Sequence, residues 1–307
     1  MDEQQITRRM QQFRSLEWPT LGLLILCYVL WGLGITAAAD LWLPLGMVCV
    51  ALGAALHSSL THEMLHGHPF RSAFWNGVLV FPALSLVVPY LRFKDTHLAH
   101  HRDSLLTDPY DDPESNYLDP AVWMRWPRWM RALARVNNTL AGRMLFGPAI
   151  GTWAFVKGDV AAMRGGDQRV WLGWLLHIPA VLVVFWLWAT FSALPLWAFL
   201  ASTYAALSIL KIRTFLEHQA HLEARGRTVI IEDRGPLALI FLNNNLHVVH
   251  HMHAAVPWYR LPRLYYQNRA RYLTRNEGYR YSSYGEIFRK YFWKAKDPVP
   301  HPLWPKS

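Results

Sequence analysis

From Thr20 to Thr61 the chain carries one charged residue, Asp40, and from Val170 to Leu210 it carries none. A helical membrane span needs about 20 mostly apolar residues, so each stretch has room for two spans and a tight turn. Pro44 marks the first turn region and Ser192 to Pro195 the second. Only 17% of the 307 residues are charged, against about 25% in an average soluble protein. The fold expected is an all-α integral membrane protein with four transmembrane helices in two hairpins, at 20–39, 41–61, 170–191 and 195–211.

The net charge is +10, and the 31 basic residues avoid the hairpins: 3 precede the first, 12 lie from Arg71 to Arg169, and 16 follow from Lys211. Basic residues favour the cytosolic side. Both termini, a helical cap of residues 92–169 and 212–307, and the functional groups it bears are therefore expected there, in a bacterial inner membrane. Trp18, Trp42, Trp171 and Trp197 stand near span ends, as interfacial aromatics do. Ala73 to Leu91 is also apolar and uncharged, but Pro82 and Pro89 interrupt it. Met144 to Val156 is too short to cross and is expected at the interface. Arg8 and Arg9 precede the first apolar run, which is longer than a secretory core and turns straight into a second span, so it is expected to be retained. The whole chain is expected to form one domain. Its charge follows the membrane pattern and suits anionic headgroups, so no nucleic-acid partner is expected. Cys27 and Cys49 both sit in apolar runs, which excludes a disulfide scaffold and cysteine-held iron or zinc centres.

Fifteen histidines provide the chemistry, most of them in three runs. His62-Glu-Met-Leu-His66 follows the second span, His97-Leu-Ala-His100-His101 follows the proline-interrupted segment, and His247-Val-Val-His250-His251 lies in the C-terminal part. Residues three and four apart share a helix face, so each set is expected to converge on one point. Neutral imidazole is the commonest biological metal ligand and suits iron, zinc, copper and nickel. One ion could not use eight or nine histidines, but two could. His57 and His177 lie inside spans and are expected to be hydrogen-bonded interior residues. His68, between Gly67 and Pro69, is expected to point away, His253 to fall off the ligand face, and His301 to sit on the surface.

The boxes HxxxH, HxxHH and HxxHH, in this order and membrane context, resemble those of the membrane fatty acid desaturase superfamily, which includes acyl desaturases and carotenoid ketolases and hydroxylases. The resemblance runs from about His62 to His251. It implies a non-haem di-iron centre on the cytosolic side. Its ligands would be His62 and His66; His97, His100 and His101; His247, His250 and His251; and a histidine after the fourth span, His218, with His221 the alternative. If the boxes share one site, 73–91 begins and ends on one membrane face and is re-entrant or membrane-embedded. Glu63, Asp95, Asp103, Asp108, Glu217 and the Asn243-Asn244-Asn245 run, Asn245 foremost, are candidates to orient the imidazoles through their second nitrogen. The Asp108 run is equally well read as a capped turn.

Two other classes compete. His62-Glu63-Met64-Leu65-His66 also fits the HExxH of zinc metalloproteases, but a protease would leave both HxxHH boxes idle. A metal transporter would place its ligands near the bilayer midplane, whereas these boxes lie past the ends of spans that lack acidic ligands. The activity expected is oxidation by dioxygen of an unactivated C–H bond in a lipid hydrocarbon chain, with the iron pair as cofactor. The first choice is an acyl-lipid or acyl-thioester desaturase, and the second a lipid or carotenoid hydroxylase or ketolase. Electrons are expected from a separate ferredoxin, rubredoxin or cytochrome with its reductase, docking on a basic surface that includes Arg263, Arg269, Arg271, Arg275, Arg289 and Lys290.

Overall fold

The computed structural model describes residues 17–101 and 105–304. The chain is mostly helical, and its only regular strands among these residues are Ile230–Ile231 and Arg280–Tyr281, paired in parallel. It divides into two compact units. One comprises 1–94, 149–210 and 255–257, and the other 95–148, 211–254 and 258–307.

Three helical stretches, Trp18–Leu41, Leu43–Leu65 and Gln168–Phe191, are long and apolar enough to cross a membrane. All belong to the first unit. The first is broken at Thr36, between Trp18–Ile35 and Ala37–Leu41. It turns at Trp42 and packs back on Leu43–Leu65. Small residues set the closeness of that packing: a Cβ on Gly34 would lie 2.8 Å from the Val50 backbone nitrogen, and one on Gly46 would lie 2.7 Å from the Ala39 Cα. Glycine at such points lets two helix backbones approach, as membrane helix pairs require. Ile25, Leu26, Val29, Leu175, Ile178 and Leu182 are exposed, a surface suited to lipid, and so are Trp18, Trp42, Trp171 and Trp197.

The fourth expected span is a helix, Leu196–Thr214, but it is not among those apolar enough to qualify. Ser202, Thr203, Ser208, Lys211 and Arg213 dilute it. The three hydroxyls bond to carbonyls one turn back, at Ala198, Phe199 and Tyr204, so the helix hides polarity that its composition displays.

Residues 73–91 do not form one helix. Ser72 caps the short helix Ala73–Leu79, the chain then runs irregularly past Pro82 and Pro89, and a new helix, Tyr90–His100, begins. Leu86 takes a left-handed conformation with φ 63°, sparsely allowed for a side chain of this kind. Its carbonyl meets His177 Nε2 at 3.0 Å, and Ala83 N donates to the Ala180 carbonyl at 3.3 Å. Arg92 forks onto Asp159 at 2.8 and 2.9 Å, and Trp174 Nε1 donates to the same carboxylate at 2.8 Å.

The run 144–156, expected as a short interfacial piece, lies inside the 25-residue helix Leu140–Arg164, and from Ala149 onward it groups with the first unit. The polar residues that end the apolar run do not end the helix. Asp159, the acid among them, is neutralised by the Arg92 fork.

Among the described residues the second unit is built mostly of short helices and the loops that join them. Ile230–Ile231 is fully buried and pairs with Arg280–Tyr281. At its edge the Glu232 carboxylate collects Tyr265 Oη at 2.6 Å, Arg269 Nε at 2.5 Å and Arg280. The helix His247–Met252 follows, with His247 and His250 buried.

Candidate metal centre

In the first unit, His62 lies in the last turn of Leu43–Leu65 and His66 caps that helix, with their ring centroids 5.0 Å apart. The i, i+4 spacing places both on one face. Glu63 is buried beside them, with an oxygen 4.0 Å from His68 Nε2. His68 points elsewhere, its Nδ1 bonded to Glu17 at 2.7 Å. His57 meets the Tyr28 hydroxyl at 3.3 Å.

In the second unit seven histidines gather. His97 and His100 end the helix Tyr90–His100, and His101 follows it. His247, His250 and His251 come from His247–Met252. His218 stands just beyond Leu196–Thr214, held in an isolated bridge to Thr228.

The boxes do not converge as expected. His97 and His101, four apart, bring their Nε2 atoms to 2.9 Å and are joined by His250. His100 turns to the other group, meeting His218 with 2.9 Å between Nε2 atoms, and His247 meets His218 at 3.2 Å. His251 completes this second group. Within each group the ligand nitrogens lie within 4.8 Å of one another. The reason is angular. Residues four apart lie about 40° apart round a helix and those three apart about 60° on the opposite side, so the middle histidine of each box diverges from the outer pair. His101 and His251, one from each group, stack at 4.3 Å.

The outer nitrogens are held by acceptors. Asp112 Oδ1 accepts from His100 Nδ1 at 2.8 Å, Glu114 Oε1 from His97 Nδ1 at 3.1 Å, and Asn244 Oδ1 from His247 Nδ1 at 3.0 Å. A carboxylate or amide oxygen can only accept, so in each case Nδ1 is the donor and Nε2 is left to face its group, free to offer its lone pair once a metal displaces any proton there. Burial and the neighbouring imidazoles push His218 and His247 well below the usual histidine range, which keeps them neutral, as metal ligands must be. Burial would lower His100 too, but Glu114 and Asp112 outweigh it and raise it to about 9. The same carboxylates would stabilise a cation at that place. Burial pushes the Glu114 carboxyl up, yet the His100 and His97 imidazoles and Arg213 hold it well below the usual carboxylate range. Burial raises Glu217. Two compact groups of imidazoles, with acceptors behind His97, His100 and His247, fit ions of the nitrogen-preferring kind.

The remaining candidates fall in different places. Glu217 is buried, accepts from Asn244 Nδ2 at 3.3 Å and pairs with Arg213 at 3.1 Å. Asp95 is half-buried on the Tyr90–His100 helix, and Asp103 lies outside the described residues. Asp108 caps its own turn, accepting from the Tyr110 and Asp111 amides at 2.8 and 2.9 Å. Asn245 serves the backbone, donating to the carbonyls of Ile231 at 2.6 Å and Asp233 at 3.1 Å. His221 is bound in its own loop to the Glu223 carbonyl. His253 is buried, with its ring 6.1 Å from Tyr272. His301, expected on the surface, is half-buried and contacts Thr107 and the Tyr117 ring.

Sequence reasoning missed Glu114, and it did not single out Asp112 in its acidic run or Asn244 within the Asn243-Asn244-Asn245 run. Asn244 stands three residues before His247, a helix-neighbour spacing that could have singled it out. Asp112 shares a proline-bounded acidic run with Asp108, and local turn chemistry masks which of the two faces inward.

A family model described as fatty acid desaturase matches residues 40–283. The chain is 26% identical over 226 residues to a beta-carotene ketolase of Paracoccus sp. (strain N81106 / MBIC 01143), an alignment covering 72% of this chain and 74% of the ketolase.

Proposed function

Because the chain belongs to the fatty acid desaturase family, we propose that this membrane-embedded oxidoreductase uses two iron ions and dioxygen to introduce a double bond into a fatty acyl chain of a lipid or thioester. The observation that carries the reading is the seven-histidine set, with the first box, His62 and His66, completing the ligands as the superfamily resemblance implies. When bound, the irons would activate dioxygen, the oxidant that takes up the hydrogens and electrons of an unactivated C–H bond. The chain's own part is to aim the Nε2 atoms of His100, His97 and His247 inward, through Asp112, Glu114 and Asn244, and to bury those nitrogens from water. Electrons would enter from a separate carrier on the cytosolic side, the side that the positive-inside rule favours for both termini and the histidines.

A second reading is favoured by the ketolase relative: insertion of oxygen into a carotenoid ring or lipid chain. Mass spectrometry of lipids from a host expressing the chain separates the two. Desaturation yields acyl chains lighter by two hydrogens, and ketolation yields carotenoids in which an oxygen replaces two hydrogens. Either product should vanish with His100→Ala. If neither class changes in a host supplied with iron, a reductase and a carrier, both readings fail.

A further inference from the structure

Six of the seven clustered histidines sit on a helix or at its immediate end, where a rigid backbone aims the ring. His218 does not. It lies in an extended stretch after Leu196–Thr214, with a bridge to Thr228, and among the described residues its Nδ1 meets only the Thr228 hydroxyl, 3.4 Å away. Something else must fix its aim.

The segment 292–301, which follows the helix Tyr284–Tyr291, lies along the loops that carry this cluster. The Lys296 ammonium is buried, 4% exposed, and donates to the backbone carbonyl of His218 at 3.0 Å. It lies over the rings of Tyr117 at 5.7 Å and Phe215 at 6.0 Å. Asp297 takes the Tyr117 hydroxyl in a short hydrogen bond, and that oxygen accepts from the amide of Ala220, two residues past His218, at 2.9 Å. The segment therefore holds the His218 stretch directly at the His218 carbonyl and, through Tyr117, at Ala220. Its far end reaches a second ligand: His301 meets Thr107 Oγ1 at 3.3 Å, Thr107 N donates to Asp112 Oδ2 at 2.9 Å, and Asp112 Oδ1 holds His100. Backbone bonds fasten the segment along its length, from Lys296 N to Asn138 O at 3.2 Å, Leu118 N to Val299 O at 3.0 Å and His301 N to Leu118 O at 2.8 Å.

A buried ammonium is costly unless its charge and protons are used. Here its hydrogen bond goes to the backbone of a cluster histidine that lacks helical support. We propose that segment 292–301 is a strap that sets the four-histidine group His100, His218, His247 and His251, with Lys296 as the positioning residue for His218.

The proposal rests on the reading of the two groups as metal sites, and metal titration separates the two claims. Full-length protein in detergent, freed of metal, is titrated with cobalt(II) and followed by visible absorption and by mass-spectrometric metal counting. Wild type should take two ions. Lys296→Met keeps the stem volume among Tyr117 and Phe215 but removes the donor. It should take one ion normally and the second at least about tenfold more weakly, on the scale seen when outer partners of metal ligands are removed, with the melting temperature near wild type. Lys296→Arg should restore much of the second affinity. Tyr117→Phe, which loses the hydroxyl between Asp297 and Ala220 but keeps the ring, should weaken the same ion, and it gives the result if Lys296→Met does not fold. Two unchanged ions in either folded variant would overturn the strap while leaving the metal reading intact. Fewer than two ions in wild type would overturn the metal reading itself.

Discussion

Asp112 decides more at the His100 position than its place in a turn suggests. Its two oxygens divide between the His100 ring and the Thr107 amide, so Asp112→Ala should free both. Affinity for the ion held by His100, His218, His247 and His251 is expected to fall about 10- to 100-fold, measured by metal titration of the folded variant. The two neighbouring asparagines should part company in the same assay. Asn244→Ala removes the acceptor of His247 Nδ1 and should weaken metal binding. Asn245→Ala strands the Ile231 and Asp233 carbonyls and should cost about 1–3 kcal/mol of stability with both ions still bound, read by thermal unfolding. The histidines were legible because imidazoles gathered at helical spacing have few other uses. Which member of each neighbouring run holds them was not, since Asp108 and Asp112, like Asn244 and Asn245, differ only in which way the chain turns, and that is set by contacts far along the sequence.

At the scale of elements, prolines were a dependable guide and apolar runs were not. Pro82 and Pro89 foretold the break in 73–91, whereas the helix Leu140–Arg164 continues through Lys157 and Asp159 because a residue 67 positions away answers the acid. Arg92→Met would leave Asp159 buried with only the Trp174 donor. Removing one partner of a buried pair costs about 3–5 kcal/mol, so this variant should unfold at clearly lower temperature in detergent. It should also become more susceptible to protease near residues 83–92. Glu232 joins the strand Ile230–Ile231 to the helices Leu261–Gln267 and Arg269–Arg275. Burial would raise its carboxyl, but Arg269, Tyr265 and Arg280 outweigh that and hold it at about 2, against an ordinary value of 4.5. A depressed carboxyl contributes stability above its unfolded value and loses that contribution as pH falls toward its folded value. The melting-temperature gap between wild type and Glu232→Gln should therefore be full above about pH 5 and close as pH falls towards 2.

For the whole molecule, the charge distribution makes a claim about sides. A cysteine at exposed Ser282 should react with a membrane-impermeant reagent only from the cytosolic face, and one at Asp40 only from the opposite face. Labelling of Ser282→Cys in intact cells would contradict the positive-inside placement. The same distribution bears on electron delivery. Arg269 and Arg280 are engaged by Glu232, while Arg263, Arg271, Arg289 and Lys290 are exposed. If an acidic carrier docks there, its apparent affinity in a reconstituted assay should fall as ionic strength rises, because screening shortens the reach of exposed charges. Affinity insensitive to salt would point to an apolar docking face instead.

The way the two HxxHH boxes divide has a consequence for how such a centre can arise. The first box gives its outer pair, His97 and His101, to one group and its middle member, His100, to the other, and the second box does the reverse with His247, His251 and His250. The assignment has a twofold symmetry: exchanging the two helical turns exchanges the two groups, three histidines for three. A single five-residue pattern written twice therefore lays down the symmetric six-histidine part of a paired centre, without a repeated fold around it. His218 is the member of the seven that breaks the symmetry, and through it the two halves, otherwise alike in what these helices supply, become distinguishable.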